Sequence, residues 1–250
     1  MHPLTQQQLH QETGYFFPYH YLDLCVPEYT YLWHIEYLQY LETVKHLLRS
    51  YRCRSVLDTG CGDGRFCYEL KKDGFVVTGV DYSERAIQFA KAFNLDVPFS
   101  VQSIENLRFR QQFDAVVLIE TLEHIIPERI PLMLRSIFRV MRKDSIFIVT
   151  VPTPRQPLAD KHYQHFTPEH LTATLSSHFT IVQLLGDSNT SYKRSIYLFL
   201  KKICYILFPF RKKLPFLQRF ILFLQSYYKR HLAVGNPGTC LRLIAVCKKK

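Results

Sequence analysis

Val56-Leu57-Asp58-Thr59-Gly60-Cys61-Gly62-Asp63-Gly64 reads as a buried strand that runs into a glycine turn and opens a helix. Glycines at alternate positions let the backbone turn sharply and approach a ligand where any Cβ would collide. Twenty-three residues beyond Asp58, Gly79-Val80-Asp81 closes a second strand, and Asp81 stands where an acidic side chain accepts hydrogen bonds from both hydroxyls of a ribose. A nucleoside is the expected ligand. A dinucleotide fingerprint wants glycine where this chain has Arg65, and no Lys-Ser or Lys-Thr follows the turn to hold phosphates, which disfavours nicotinamide dinucleotides and ATP.

Outward from that turn, short β-rich runs alternate with helical patterns, as in a parallel sheet covered on both faces. Strands are expected at Ser55–Asp58, Phe75–Asp81, Val97–Val101, Phe113–Ile119, Ser145–Val151, Phe179–Leu185 and Leu241–Cys247. Helices are expected at Glu28–Ser50, Gly64–Lys72, Ser83–Phe93, Glu128–Arg142 and Thr167–Ser177, with Ser83 and Thr167 as caps and Pro168 at a first helical position. The expectation is one α/β domain: a doubly wound, seven-stranded, mostly parallel sheet with a helical insertion before its last strand. Within it, residues 1–51 form an N-terminal helical lid, 52–188 the ligand-binding core, 189–240 the insertion and 241–250 the last strand and tail.

The glycine run, the Gly79-Val80-Asp81-Tyr82-Ser83 segment and Phe113-Asp114-Ala115-Val116-Val117-Leu118 together resemble the class I methyltransferases, over roughly residues 52–185. The resemblance implies a Rossmann-like fold and S-adenosylmethionine as cofactor. It places Asp58 and Gly60 beside the methionine part and Tyr82 beside the adenosine, and counts Cys61, Gly62, Gly64, the ribose-facing Asp81 and Ile119 among the cofactor-binding residues. Such families often carry Asp where this chain has Ser103, so adenine contact is assigned to the Ser103 hydroxyl and the Ile104 amide.

After the fourth strand comes Glu120-Thr121-Leu122-Glu123-His124. A helical turn would put positions i, i+3 and i+4 on one face, making a divalent cation site of Glu120, Glu123 and His124. Carboxylates suit Mg²⁺ or Mn²⁺, and the imidazole favours manganese or other transition metals. The segment resembles that of the ubiquinone-biosynthesis O-methyltransferases and of the small-RNA 3′-terminal 2′-O-methyltransferases, which use Glu-x-x-Glu-His with a metal. In the RNA enzymes a histidine after the fifth strand completes the site. Here His162 and His165 occupy that region, with His165 assigned as the fourth ligand. Without metal, His124, His162 or His165 would act as general base toward a substrate hydroxyl.

The formal charge of +11 is unevenly distributed. From Asn189 to Lys250 there are fourteen Lys or Arg and no Asp or Glu, whereas the remainder holds eighteen basic and twenty-one acidic side chains. A basic tail on a nearly neutral body implies an anionic partner. In residues 195–230, Ile, Leu and Phe interleave with Lys and Arg, and no apolar run is long enough to span a bilayer. This suits an anionic membrane surface better than nucleic acid, and a packed or dimeric hairpin remains open. Aromatic residues of Tyr15–Tyr21, with Tyr31, Trp33, Tyr37 and Tyr40, either close over the cofactor or pack on the first helices. Seven cysteines without a CxxC pair and a polar start without a signal core predict a cytoplasmic protein.

The insertion before a last strand is also similar to that of bacterial methyltransferases acting on sugars or lipid-linked intermediates. The acceptor expected from the whole is an oxygen of a small, glycan or lipid-associated molecule. An RNA 2′-O-methyltransferase and a non-enzymatic cofactor-binding module with a basic anchor stay open.

Overall fold

The apolar runs alternate between two faces, and that alternation builds the core. In the computed structural model, which describes residues 5–25 and 30–250, the strands are β1 Ser55–Thr59, β2 Val76–Asp81, β3 Phe99–Val101, β4 Phe113–Ile119, β5 Met141–Pro152, β6 Phe179–Asn189, β7 Val234–Gly235 and β8 Cys240–Lys249. They form one sheet in the order β3-β2-β1-β4-β5-β8-β6-β7. The first five run parallel, and β8 lies antiparallel between β5 and β6. Leu57, Val116, Leu118, Phe147 and Val149 point to one face, and Val56, Ala115, Val117, Ile146 and Ile148 to the other; all are buried. Successive side chains of a strand leave opposite faces, so a strand apolar at every position has to be covered on both.

The covers are the helices between strands. Helices α1 Gln6–Gly14, α2 Leu22–Cys25 and α3 Thr30–Ser50 precede β1. Next come α4 Arg65–Lys72, α5 Glu84–Phe93, α6 Ile130–Val140 and α7 Pro168–Leu175. The sheet face carrying Val56 packs on α3, α4 and α5, and the face carrying Leu57 on α6 and α7. Ser83 and Thr167 cap as expected: their hydroxyls accept from the amides of Ala86 and His170. The expected start of α3 at Glu28 and the side chains of Cys25, Tyr31 and Trp33 lie outside the described residues. The other six cysteines are buried free thiols.

Two of the differences from the expected elements show their cause. The helix expected to reach Arg142 ends at Val140, because Met141 pairs with Phe113 and Arg142 with the Asp114 carboxylate, drawing residues 141–144 into β5. Met, Arg and Lys are good helix formers, and tertiary pairing overrides that preference. The eighth strand, β7, has two residues and exists only through its pairing with β6, so no sequence periodicity announces it.

The insertion folds as a hairpin of α8 Tyr192–Leu207 and α9 Phe216–His231 joined through a 3-10 turn at Phe208–Lys213. Tyr197, Cys204, Leu217, Leu224 and Tyr228 meet Leu32 and Ile35 of α3 in a small separate core. Lys201 reaches through that contact to Glu36, 2.7 Å from each carboxylate oxygen. Among the described residues, no helix is long and apolar enough to cross a membrane.

Candidate active site

In an open α/β sheet, ligands bind outside the carboxyl ends of the strands, where the strand order reverses. Here that point lies between β1 and β4, and it opens into a cavity of about 400 Å³. The glycine turn forms one wall. Gly60, with φ +75°, accepts no side chain: a Cβ there would stand 2.6 Å from Thr121. At Gly62, with φ +54°, a Cβ would stand 2.8 Å from the Tyr15 hydroxyl. Gly64 does not line the cavity; it starts α4 and lies against Ala90 of α5, so its role is close packing.

Two carboxylates face the cavity from neighbouring strand ends. Asp81 accepts from the amides of Gly62 and Ser83, each at 2.9 Å. Burial pushes its carboxyl up to about 6 against the lowering effect of those bonds. Asp58 is more isolated: Cys67 Sγ donates to Oδ2 at 3.3 Å, while Oδ1 is buried without a hydrogen-bond partner. Burial pushes Asp58 up to about 7. A buried carboxylate oxygen left unpaired is costly, and it marks where a cationic or N–H-bearing ligand group is wanted. Cys61, Tyr82, Ser103, Ile104 and Ile119 line the same cavity, as the sequence motifs place them. The Ser103 hydroxyl also accepts from the Glu105 amide at 3.3 Å, which fixes the short 3-10 turn carrying Ile104.

The N-terminal segment covers this wall through Arg65. The residue that breaks the dinucleotide pattern is a buried clamp: its guanidinium pairs with both oxygens of Asp23 and with Glu69, and donates to the His20 carbonyl at 2.7 Å. His20 in turn places Nδ1 3.0 Å from Asp63 of the glycine loop. Tyr15, Tyr19 and His20 thereby line the cavity, together with Tyr37 and Tyr40 of α3. Replacing Arg65 by alanine leaves the buried Asp23 uncompensated and Glu69 to Lys45, 3.7 Å away, an expected loss of about 3 kcal/mol. For a chain of this length that is a fall in Tm of roughly 6–12 °C. Differential scanning calorimetry reads it, and chymotrypsin should cut at Tyr15–Tyr21 in Arg65→Ala before cutting the parent.

The opposite wall holds the Glu-x-x-Glu-His segment, and here the structure corrects the expected ligand set. Glu120 has a left-handed φ of +45° and stands outside the 3-10 turn Leu122–His124, so it does not share a face with Glu123 and His124. Its carboxylate accepts from Arg242 Nε at 2.9 Å and from Thr150 Oγ1 at 3.2 Å. His162 takes its place: the ligand-capable atoms of Glu123, His124 and His162 lie within 4.8 Å of one another. His165 stands behind, its Nε2 2.9 Å from His162 Nδ1, and does not line the cavity.

The cluster is held by the loop after β5. The Tyr163 amide donates to the Glu123 carbonyl at 2.8 Å, and His124 Nδ1 lies 2.9 Å from the Lys161 carbonyl. A carbonyl can only accept, so Nδ1 carries the proton and the Nε2 lone pair is left for the cavity. Burial, opposed by the Lys161 bond, pushes His124 down to about 4. Burial and the charge of His165 push His162 down to about 4 as well. Both imidazoles are neutral near pH 7. Burial and the neighbouring Glu120 raise the Glu123 carboxyl well above its usual range, and its Oε2 is buried without a partner.

Arg242 is the residue that sequence reasoning missed. Besides Glu120, it lies 3.6 Å from the buried Asp187 and over the Tyr40 ring at 5.3 Å, and it lines the cavity. The available signal was a single cation inside the apolar strand Leu241–Cys247, since charged residues in such a run are buried only when paired.

A mixed sheet of this order, with a glycine loop after the first strand and an acid ending the second, is an α/β fold of the Rossmann-like class. The model of the methyltransferase-domain family matches residues 53–200, and the chain belongs to this family. Its fold is also that of solved structures described as S-adenosylmethionine-dependent methyltransferases.

The chain is 42% identical over 77 residues to the ubiquinone biosynthesis O-methyltransferase of Coxiella burnetii (strain RSA 493 / Nine Mile phase I), a match covering 29% of this chain and 33% of that protein. The chain thus spans about a third of that relative. The crystal structure of the PH0226 protein from Pyrococcus horikoshii OT3 is similar over 94% of this chain and 100% of its own, with TM-score 0.59 and 21% identity. Magnesium protoporphyrin IX methyltransferase from Synechocystis PCC 6803, solved with bound SAH, is similar over 60% of this chain and 76% of its own, with TM-score 0.51 and 20% identity.

Proposed function

We propose that the chain transfers the methyl group of S-adenosylmethionine to a hydroxyl oxygen of a small, glycan or lipid-associated acceptor. The observation that carries this reading is the continuity of one cavity from the Asp58 and Asp81 carboxylates to the Glu123–His124–His162 cluster. The sulfonium methyl is already activated, so the protein has to align nucleophile, carbon and sulfur, exclude water and take up the hydroxyl proton. Asp81 would hold the ribose diol. Asp58 Oδ1 would accept from the ammonium of the methionine part. Tyr15, Tyr19 and Tyr37 would keep water from the reacting centre.

Glu123, His124 and His162 also fit a divalent cation: two neutral imidazoles and a carboxylate oxygen lacking a partner are a donor set that Mn²⁺ accepts. Such an ion would lower the pKa of an acceptor hydroxyl. In calorimetric titrations Mn²⁺ should bind the parent protein and not Glu123→Gln, and more tightly as pH rises, since Glu123 has to release a proton to ligate. Equal binding by parent and variant contradicts this part of the reading.

Asp58 gives a second pH dependence, of the same sign. Its raised pKa means the ligand-free protein protonates it as pH falls through about 7, removing the charge that would face the ammonium. Affinity for S-adenosylmethionine should therefore be about tenfold weaker at pH 6 than at pH 8, because one pH unit below the pKa about a tenth of the carboxyl is ionised. Asp58→Asn should flatten that profile. The reaction itself is tested by offering methyl-labelled S-adenosylmethionine with a panel of catechols, sugars, lipid-linked sugars and RNA ending in a vicinal diol. Label on an oxygen of a small or lipid-borne acceptor supports the proposal, and label on RNA alone overturns it.

A further inference from the structure

The hairpin α8–α9 carries more apolar surface than its own core uses. On α8 the buried stripe is Tyr197, Lys201 and Cys204. On the far side of the same helix, Tyr192, Ile196, Phe199 and Ile206 repeat at helical spacing, and Phe199 and Ile206 are 64% and 62% exposed. The exposed row continues at the hairpin tip with Phe210 and Phe216, 58% and 54% exposed, and between these two stand Lys212 and Lys213, both exposed. Monomeric soluble proteins rarely display contiguous apolar surface of this kind, and where it occurs it marks an interaction site.

We propose that this face docks on an anionic lipid surface. Charge complementarity chooses the occupant: fourteen basic and no acidic residues lie between Asn189 and Lys250. A second copy presenting the same face would bring like charges together. A nucleic-acid surface would have no use for exposed Ile and Phe along a helix. A membrane interface uses both, with the apolar side chains entering the boundary between headgroups and acyl chains while Lys reaches back to the phosphates. The hairpin packs on α3 through Leu32, Ile35 and Glu36, and two residues of the same helix, Tyr37 and Tyr40, line the cavity. On the proposed function above, on which this last step alone rests, a docked hairpin holds the cavity beside an acceptor carried in the lipid.

The test is co-sedimentation of the full chain with phosphatidylcholine vesicles, with and without phosphatidylglycerol, in the absence of cofactor. Partition should be at least tenfold stronger onto the anionic vesicles and should weaken as salt is raised. It should fall at least tenfold in Phe199→Ser/Ile206→Ser and in Lys212→Glu/Lys213→Glu. All four positions are exposed, so the variants should keep the parent Tm. Equal partition onto both vesicle types, or none, overturns the proposal. So does a dimer in light scattering that Phe199→Ser dissociates, or RNA binding lost with the same lysines while vesicles are ignored. Vesicle binding is read without methyl transfer, so its failure leaves the enzymatic reading standing, and failure of methyl transfer leaves the surface standing.

Discussion

Asp81→Ala should weaken S-adenosylmethionine binding at least 100-fold while the chain stays folded. Hydrogen bonds to a charged acceptor contribute about 1.5–3 kcal/mol each, and two are expected from the ribose. The same carboxylate holds the amides of Gly62 and Ser83, so its removal also loosens the turn at the point where the cofactor would lie closest to the backbone. Asparagine should not rescue. Each carboxylate oxygen already accepts from a backbone N–H, and the amide nitrogen of Asn would bring a donor against one of them. Burial raises the Asp81 carboxyl, so the ligand-free protein gains from losing that charge, which limits the change in Tm. Calorimetric affinity beside a thermal melt reads both quantities, and an unchanged affinity in the alanine variant would remove Asp81 from the site.

His124→Ala should lower turnover by about 10²–10⁴-fold, the usual range for a positioned proton acceptor, with cofactor affinity nearly unchanged. The separation follows from geometry. His124 stands on the wall opposite the carboxylate pair, its Nε2 4.0 Å from Glu123 Oε1 and its Nδ1 2.9 Å from the Lys161 carbonyl. If the cluster holds a metal, the same variant should also lose Mn²⁺ binding, whereas a proton acceptor alone would leave the metal heat untouched. His165→Ala should act more weakly and through His162, which it contacts at 2.9 Å without reaching the cavity. A full loss of turnover in His165→Ala with normal turnover in His124→Ala would reverse these assignments.

Local signals in the sequence carried the sheet and the cavity wall formed by the glycine turn. The strand Ser55–Thr59, the glycine turn and Asp81 are contiguous stretches whose conformations follow from backbone sterics and from burial on both faces, so their reading survives into three dimensions. Arg65 was legible only as an exclusion. That it clamps Asp23 and Glu69 depends on a segment some forty residues earlier in the chain folding back over the loop.

The wall carrying the Glu-x-x-Glu-His segment was only partly legible for a similar reason. Glu123 and His124 do stand together, but helical spacing gave them Glu120 as a partner. The left-handed backbone at Glu120 and the cation on β8 took that carboxylate elsewhere. Neither is visible from five consecutive residues: the pull of Arg242 arises because the last strand inserts between β5 and β6. The sequence offered both His162 and His165 and assigned His165 as the ligand; the loop's bonds between Tyr163 and Glu123 and between Lys161 and His124 bring His162 to the cavity instead.

The central claim is tested most directly by titrating S-adenosylmethionine into the purified chain by calorimetry at pH 8, with NAD and ATP as parallel titrants. The account predicts saturable one-to-one binding of S-adenosylmethionine and no heat from the other two. Absence of binding, or tighter binding of NAD or ATP, would contradict it.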